Sequence, residues 1–305
     1  MGFLSLSPLS GRSHLLGEGP RWIKGALWWI DIEAGELWSA TSADDIRCAV
    51  KLPYQIGSFA VTMDDRIILA TRNGFELYVP SSAELKAIVD PQPTRMTRFN
   101  DGRVDPAGRF WAGTMAIDPA RYAEPLGSLY CLDDSGKAVE KLSGLTISNG
   151  IDWSNDARTM YLNDTMRGLT LAFDFDCATG AITNKRPFAI YDRQKGLPDG
   201  LLVDADDHVW TAVIGSGEVM RFCPDGSLDA VMDIGTSWPT ALTFGGDDFS
   251  TLYVTTSRHL MDREHTETGA GLIYQCSTSW RGRPENLVPA TFDFHGPGEL
   301  SDQLR

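Results

Sequence analysis

Six stretches of this chain open alike: Gly17-Glu18-Gly19-Pro20, Gly57-Ser58-Phe59-Ala60, Asn100-Asp101-Gly102, Ser148-Asn149-Gly150, Pro198-Asp199-Gly200 and Pro239-Thr240-Ala241. Successive openings are roughly 40 to 50 residues apart, the length of one four-stranded propeller blade. Most run on into a small or apolar residue, an Asp, Asn or Gly turn, and a short run rich in Trp, Tyr and Val. Equivalent positions of successive blades face a common axis, so Glu18, Asn149 and Asp199 are expected to meet there although far apart in sequence.

The runs between the openings support an all-β reading. Ala26-Leu27-Trp28-Trp29-Ile30-Asp31 precedes Gly35-Glu36-Leu37-Trp38, and His208-Val209-Trp210-Thr211-Ala212 precedes Glu218-Val219-Met220-Arg221-Phe222. Short, aromatic and β-branched runs bounded by turn residues are strands, and no long helical periodicity interrupts them. The expected architecture is a six-bladed β-propeller, one domain spanning residues 1–305. Its ring is expected to close through runs 3–6 and 291–294. Three longer insertions, 117–126, 192–197 and 259–268, are placed to select a ligand at the rim.

Net charge narrows the partners. At −14 formal charge the chain has no basic surface for a phosphate backbone, so nucleic acid is excluded. No apolar run reaches the roughly 18 residues of a membrane span. Residues 1–16 lack the basic and apolar segments of a secretory leader, so a cytoplasmic location is expected. The five cysteines, with no CxxC and no Cys/His zinc spacing, read as buried free thiols. Oligomeric state is left open.

Glu18, Asn149 and Asp199 offer three oxygen ligands and no thiolate. Such a set suits one divalent cation, Ca²⁺, Mg²⁺, Mn²⁺ or Fe²⁺, and accepts Zn²⁺. Three protein ligands leave positions for water and substrate. Each residue alone reads as an ordinary turn residue; the shared place in the repeat is what points to a metal. Arg98 and Asn100 alternate along Arg98-Phe99-Asn100-Asp101-Gly102-Arg103 and would share one face of a strand, where they suit sugar hydroxyls or a ring carbonyl. No GxSxG elbow or dinucleotide fingerprint is present. The histidines show no ligand spacing; His208 reads as a surface residue, and His259 and His265 stand in an insertion as weaker ligand-contact candidates. Acidic pairs such as Asp64-Asp65 and Asp206-Asp207 read as solvated turns.

The segments Leu16-Gly17-Glu18-Gly19-Pro20-Arg21-Trp22, Arg98 through Arg109, Ile147-Ser148-Asn149-Gly150-Ile151-Asp152-Trp153-Ser154 and Leu197-Pro198-Asp199-Gly200 resemble the gluconolactonase, regucalcin and senescence-marker family over nearly the whole chain. The resemblance implies a six-bladed propeller with one divalent cation held by Glu18, Asn149 and Asp199, and Arg98 and Asn100 as substrate-binding residues. It implies hydrolysis of a sugar lactone, an aldonolactone of the glucono-, galactono-, arabinono- or xylono- type, with Asp199 assisting removal of a proton from water. Animal members place a Glu in the lid after the Gly-Thr-Met run. Here Gly113-Thr114-Met115 leads to Asp118, which is expected to take that substrate-binding place with a shorter reach. The competing expectation is a non-catalytic calcium-binding regulatory protein, which would call for a crowded shell of 6 to 8 oxygens.

Overall fold

The computed structural model describes residues 6–260, 263–264 and 267–291. Six four-stranded antiparallel sheets succeed one another along the chain. Their innermost strands are Gly17–Ile23, Ile56–Val61, Thr97–Val104, Ser148–Trp153, Leu197–Val203 and Pro239–Gly245. Each carries one of the six openings. Each inner strand contacts the neighbouring blades, and the last meets the first, so the ring is closed. The described residues contain no α-helix, only two 3₁₀ turns, Pro119–Arg121 and Thr165–Arg167. None of their helices is long and apolar enough to cross a membrane.

Every inner strand breaks register with its partner at the opening. The shifts fall between Glu18 and Arg21, Ile56 and Ser58, Phe99 and Gly102, Asn149 and Ile151, Pro198 and Leu201, and Pro239 and Ala241. An extra residue in one strand of a pair bends it and re-aims a side chain. The repeated opening is therefore a repeated bulge that presents one residue per blade to the axis. Glycine is required where two such bulges meet. A Cβ on Gly150, at φ +21°, would lie 2.5 Å from Leu201 Cβ and 2.6 Å from the Asp199 carbonyl oxygen.

Apolar faces of successive blades pack into clusters around fully buried Trp29, Trp111, Trp153 and Trp210. Two blades share a turn that satisfies a wholly buried carboxylate. Asp105 accepts from Ala107 N, Arg109 N and Trp111 Nε1 at 2.9, 3.0 and 2.8 Å. Asp204 accepts from Asp206 N, His208 N and Trp210 Nε1 at 2.9, 2.9 and 2.8 Å. Buried charge is tolerated when it is this fully bonded.

The N-terminal segment joins the closing blade a few residues later than expected. Ser7–Pro8 forms the outermost strand of the sixth blade by pairing with Gln275 and Tyr274. Residues 3–5 and 292–294 lie outside the described residues. The chain after the last strand runs instead beneath the ends of the inner strands remote from the openings. There Arg283 Nη2 donates to Asp152 Oδ1 at 2.5 Å, Glu285 pairs with Arg103, and Val288 N donates to the Val61 carbonyl at 3.1 Å. The thiols also differ. All five are free, but only Cys131 and Cys276 are buried, because the other three stand on outer strands and turns.

Candidate functional site

At the opening end of the axis lies a cavity of about 190 Å³. Glu18, Asn149, Asp199, Arg98 and Asn100 all line it, and all five are buried. Apolar walls come from Leu16, Ile32, Met115, Ile147 and Ile214. Isolated bridges between Leu16 and Ser257 and between Met115 and Ile147 tie neighbouring blades together at this wall.

Three of the five polar residues, Arg98, Asn100 and Asn149, form one hydrogen-bonded chain. Arg98 Nη1 donates to Asn100 Oδ1 at 3.0 Å. Asn100 Nδ2 donates to Asn149 Oδ1 at 3.0 Å. Asn149 Nδ2 in turn donates to Thr165 Oγ1 at 3.0 Å. This chain of donors turns the Asn149 oxygen away from Thr165 and leaves one of its lone pairs for a ligand. Asn163 Nδ2 holds the Asp199 backbone carbonyl at 2.7 Å, and Glu18 Oε2 accepts from Gly19 N at 2.8 Å.

The two carboxylates are electrostatically strained. Burial, and then the nearby Asp101 charge, push Glu18 up to about 8. Burial, followed by the charges of Glu18 and Asp101, raises Asp199 well above the usual carboxylate range. Among the described residues neither carboxylate forms an ion pair. Two buried carboxylates with no cationic partner among the described residues are costly, and a cation bound between them would remove the cost. The donor set of two carboxylates and one amide oxygen fits a hard or borderline divalent cation.

Arg98 is also buried without an ion pair among the described residues, and only its Nη1 donates there, to Phe99 O at 2.9 Å and to Asn100. Arg98 also lines the cavity. Asp101 does not pair with Arg98. That carboxylate sits 3.8 Å from Arg21 Nη2 instead.

Asp118 is a correction. It is exposed and does not line the cavity. Its carboxylate accepts from Ala120 N at 3.0 Å and caps the 3₁₀ turn Pro119–Arg121. The Pro that follows it fixes that turn and directs the side chain back onto its own backbone. Its neighbours Ile117, Pro119 and Tyr122 reach the cavity in its place. Of the three insertions, 117–126 and 259–268 contribute to the lining, the latter through His259, while 192–197 does not. His265 lies outside the described residues.

The chain matches one protein family over most of its length. A model described as the SMP-30/Gluconolactonase/LRE-like region matches residues 16–258. The chain belongs to that family. Among its relatives is a Bacillus subtilis (strain 168) protein, provisionally named sugar lactone lactonase YvrE. It is 31% identical over 251 residues, 81% of this chain and 85% of that protein. Regucalcin of Gallus gallus is 33% identical over 271 residues, 87% of this chain and 90% of its own. A solved structure of regucalcin from Agrobacterium tumefaciens, described as a calcium-binding protein, superposes with a TM-score of 0.85 at 29% identity. That match covers 93% of this chain and 97% of that one.

The cavity also gathers residues that carry no signal in the sequence. Thr165 lies in a short turn, Thr165–Arg167, outside every opening. Glu33, Gln55 and Tyr122 line the cavity from loops outside the openings and carried no motif.

Proposed function

We propose that this protein is a divalent-cation-dependent sugar lactonase. Glu18, Asn149 and Asp199 would hold the cation. The observation that carries the reading is the meeting of these three side chains on one cavity, buried and without ion pairs among the described residues, beside a buried arginine that also has none among them.

A divalent cation bound there supplies Lewis acidity toward a lactone carbonyl. The protein's own residues do the remainder. Arg98 and Asn100 hold ring or hydroxyl oxygens of the sugar, Arg98 through its spare donors and Asn100 through an amide already oriented by Arg98. The apolar wall of Leu16, Met115 and Ile147 packs the C–H face of the ring and excludes bulk water. Asp199, as a carboxylate on the cavity, accepts the proton of the attacking water. It later returns that proton to the departing ring oxygen, so the product is the open-chain aldonic acid, which then loses its own carboxyl proton to solvent. Asp118 is left without a sugar contact, and Tyr122 replaces it at the lid. Aldonolactones of the glucono-, galactono-, arabinono- and xylono- type are the substrates to try.

A non-catalytic calcium binder is the second reading, favoured by the regucalcin relatives. Three protein ligands and a buried sugar-sized polar cavity favour catalysis over it. The deciding experiment is hydrolysis of an aldonolactone panel by chelated protein, before and after single divalent metals are restored. Hydrolysis that returns with metal supports the lactonase. Metal binding with no turnover of any lactone supports the calcium binder.

A further inference from the structure

The fifth blade brings together three residues that the axial site does not use. His208 immediately precedes its second strand, Val209–Ile214. Cys223 immediately follows its third, Glu218–Phe222. Asp229 lies on its outermost strand, Leu228–Asp233. One ligand-type atom from each lies within 4.8 Å of the other two. Among the described residues this is the one such group of His, Cys, Asp or Glu. We propose that it is a second metal site, of the zinc class, built from nitrogen, sulfur and oxygen.

The surroundings prepare two of the ligands. His208 Nδ1 lies 3.1 Å from the Asp206 carbonyl oxygen, which accepts only if Nδ1 carries the proton. The Nε2 lone pair is then left for a metal. A carbonyl on the far ring nitrogen is the usual way a metal-binding histidine is fixed. Asp229 Oδ2 accepts from Arg221 Nη1, which leaves Oδ1. The main chain of Cys223 is held by its turn, its N donating to Ser227 O at 2.8 Å and its carbonyl accepting from Gly226 N at 2.9 Å.

Charge also closes. Arg221 beside the group would oppose a cation, but Asp204 neutralises it through Nε at 3.0 Å and Nη2 at 2.8 Å. The remaining charges are one carboxylate and one thiolate, which together match a divalent ion. Binding forms the sulfur–metal bond and releases the thiol proton to water. A neutral imidazole, a thiolate and a carboxylate select borderline metals over the hard cations that suit an all-oxygen site. Water completes the tetrahedron. The bound ion would pin the two outer turns of the blade to its edge strand.

Cobalt(II) separates the two sites by spectrum. A thiolate ligand gives Co²⁺ an intense near-ultraviolet charge-transfer band, and the all-oxygen axial site gives none. Chelated, reduced protein titrated with Co²⁺ should develop that band and lose it on addition of Zn²⁺. Cys223→Ser should abolish it, His208→Ala should weaken Co²⁺ binding at least tenfold, and Asp199→Ala and Cys177→Ser should leave it in place. In the unaltered protein, Zn²⁺ should also slow alkylation of Cys223, read by peptide mapping, so the test does not depend on a variant folding. No band once the axial site is saturated, a band surviving in Cys223→Ser, or alkylation unaffected by Zn²⁺ would each overturn the site.

Discussion

Thr165 Oγ1 stands 3.0 Å from Asn149 Nδ2 and so decides which way that amide faces. Asn100 on the other side donates to Asn149 Oδ1. The amide of one proposed ligand is therefore gripped at both ends by residues that are not ligands. Groups that orient a ligand commonly contribute about 10- to 100-fold in metal affinity. Thr165→Val keeps the volume and loses the acceptor. Calorimetric titration should show metal affinity down by that factor, with Thr165→Ser close to the parent. Equal affinity in Thr165→Val would mean Asn149 needs no such guide.

Asp199 is assigned two roles, and two substitutions separate them. Asp199→Ala removes ligand and base together, so both metal binding and turnover should be lost. Asp199→Asn keeps an oxygen for the cation but cannot take a proton. Metal should still bind, more weakly, while kcat falls about 10²- to 10⁴-fold, the usual worth of a general base. A kcat in Asp199→Asn near that of the parent would reassign the base.

Arg98 should act on substrate alone. Its guanidinium cannot ligate a cation, and no carboxylate pairs with it among the described residues. Arg98→Lys keeps the charge but not the fork of donors. Both Arg98→Lys and Arg98→Ala should lower kcat/KM for the preferred lactone while metal affinity moves little. If metal affinity falls in step with kcat/KM, Arg98 belongs to the cation site instead.

The gathering of Arg98, Asn100 and the three proposed ligands on one cavity was legible because a propeller converts sequence period into spatial coincidence. Glu18, Asn149 and Asp199 occupy one position of the repeat, and the bulge at that position turns each toward the axis. Arg98 and Asn100 followed from alternation along a strand. What period cannot reveal is a residue supplied by a loop. Thr165 comes from a single 3₁₀ turn, and Tyr122 from a lid whose direction Pro119 sets. Asp118 was misplaced for the same reason: an Asp before a Pro caps the turn it begins. The closing strand was missed by a few residues because Ser7–Pro8 is two residues long and has no pattern of its own.

Glu18 gives the metal-free protein a distinctive pH response. Its folded value, about 8, lies above the ordinary 4.5. Between these values the native state holds a proton that the unfolded state has released. Stability contributed by that group therefore falls as pH rises from about 4.5 through about 8. A cation holds Glu18 ionised in the native state and removes the trend. Chelated protein should melt at lower temperature at pH 8 than at pH 5.5, and the difference should shrink with metal bound and in chelated Glu18→Gln. An equal difference in Glu18→Gln would assign the trend to other groups.

Gly150 tests whether the closeness of two inner strands sets the ligand geometry. Its neighbours are the Asp199 carbonyl oxygen and Leu201, on the next blade, and Asn149 precedes it in the chain. A Cβ there, 2.6 Å from that oxygen, can be admitted only if the fourth and fifth inner strands move apart. Both strands carry a proposed ligand, so the separation acts on Asn149 and Asp199 directly. Overpacking of this kind costs about 1–3 kcal/mol. Gly150→Ala should lower Tm and weaken metal binding together. Gly11→Ala is the matched control, since nothing lies within 4 Å of its added carbon, and it should change neither. A Gly150→Ala protein that melts lower yet binds metal as the parent does would show that the ligands adjust independently of the strands. The bulges would then serve the packing of the blades and not the placement of the oxygens.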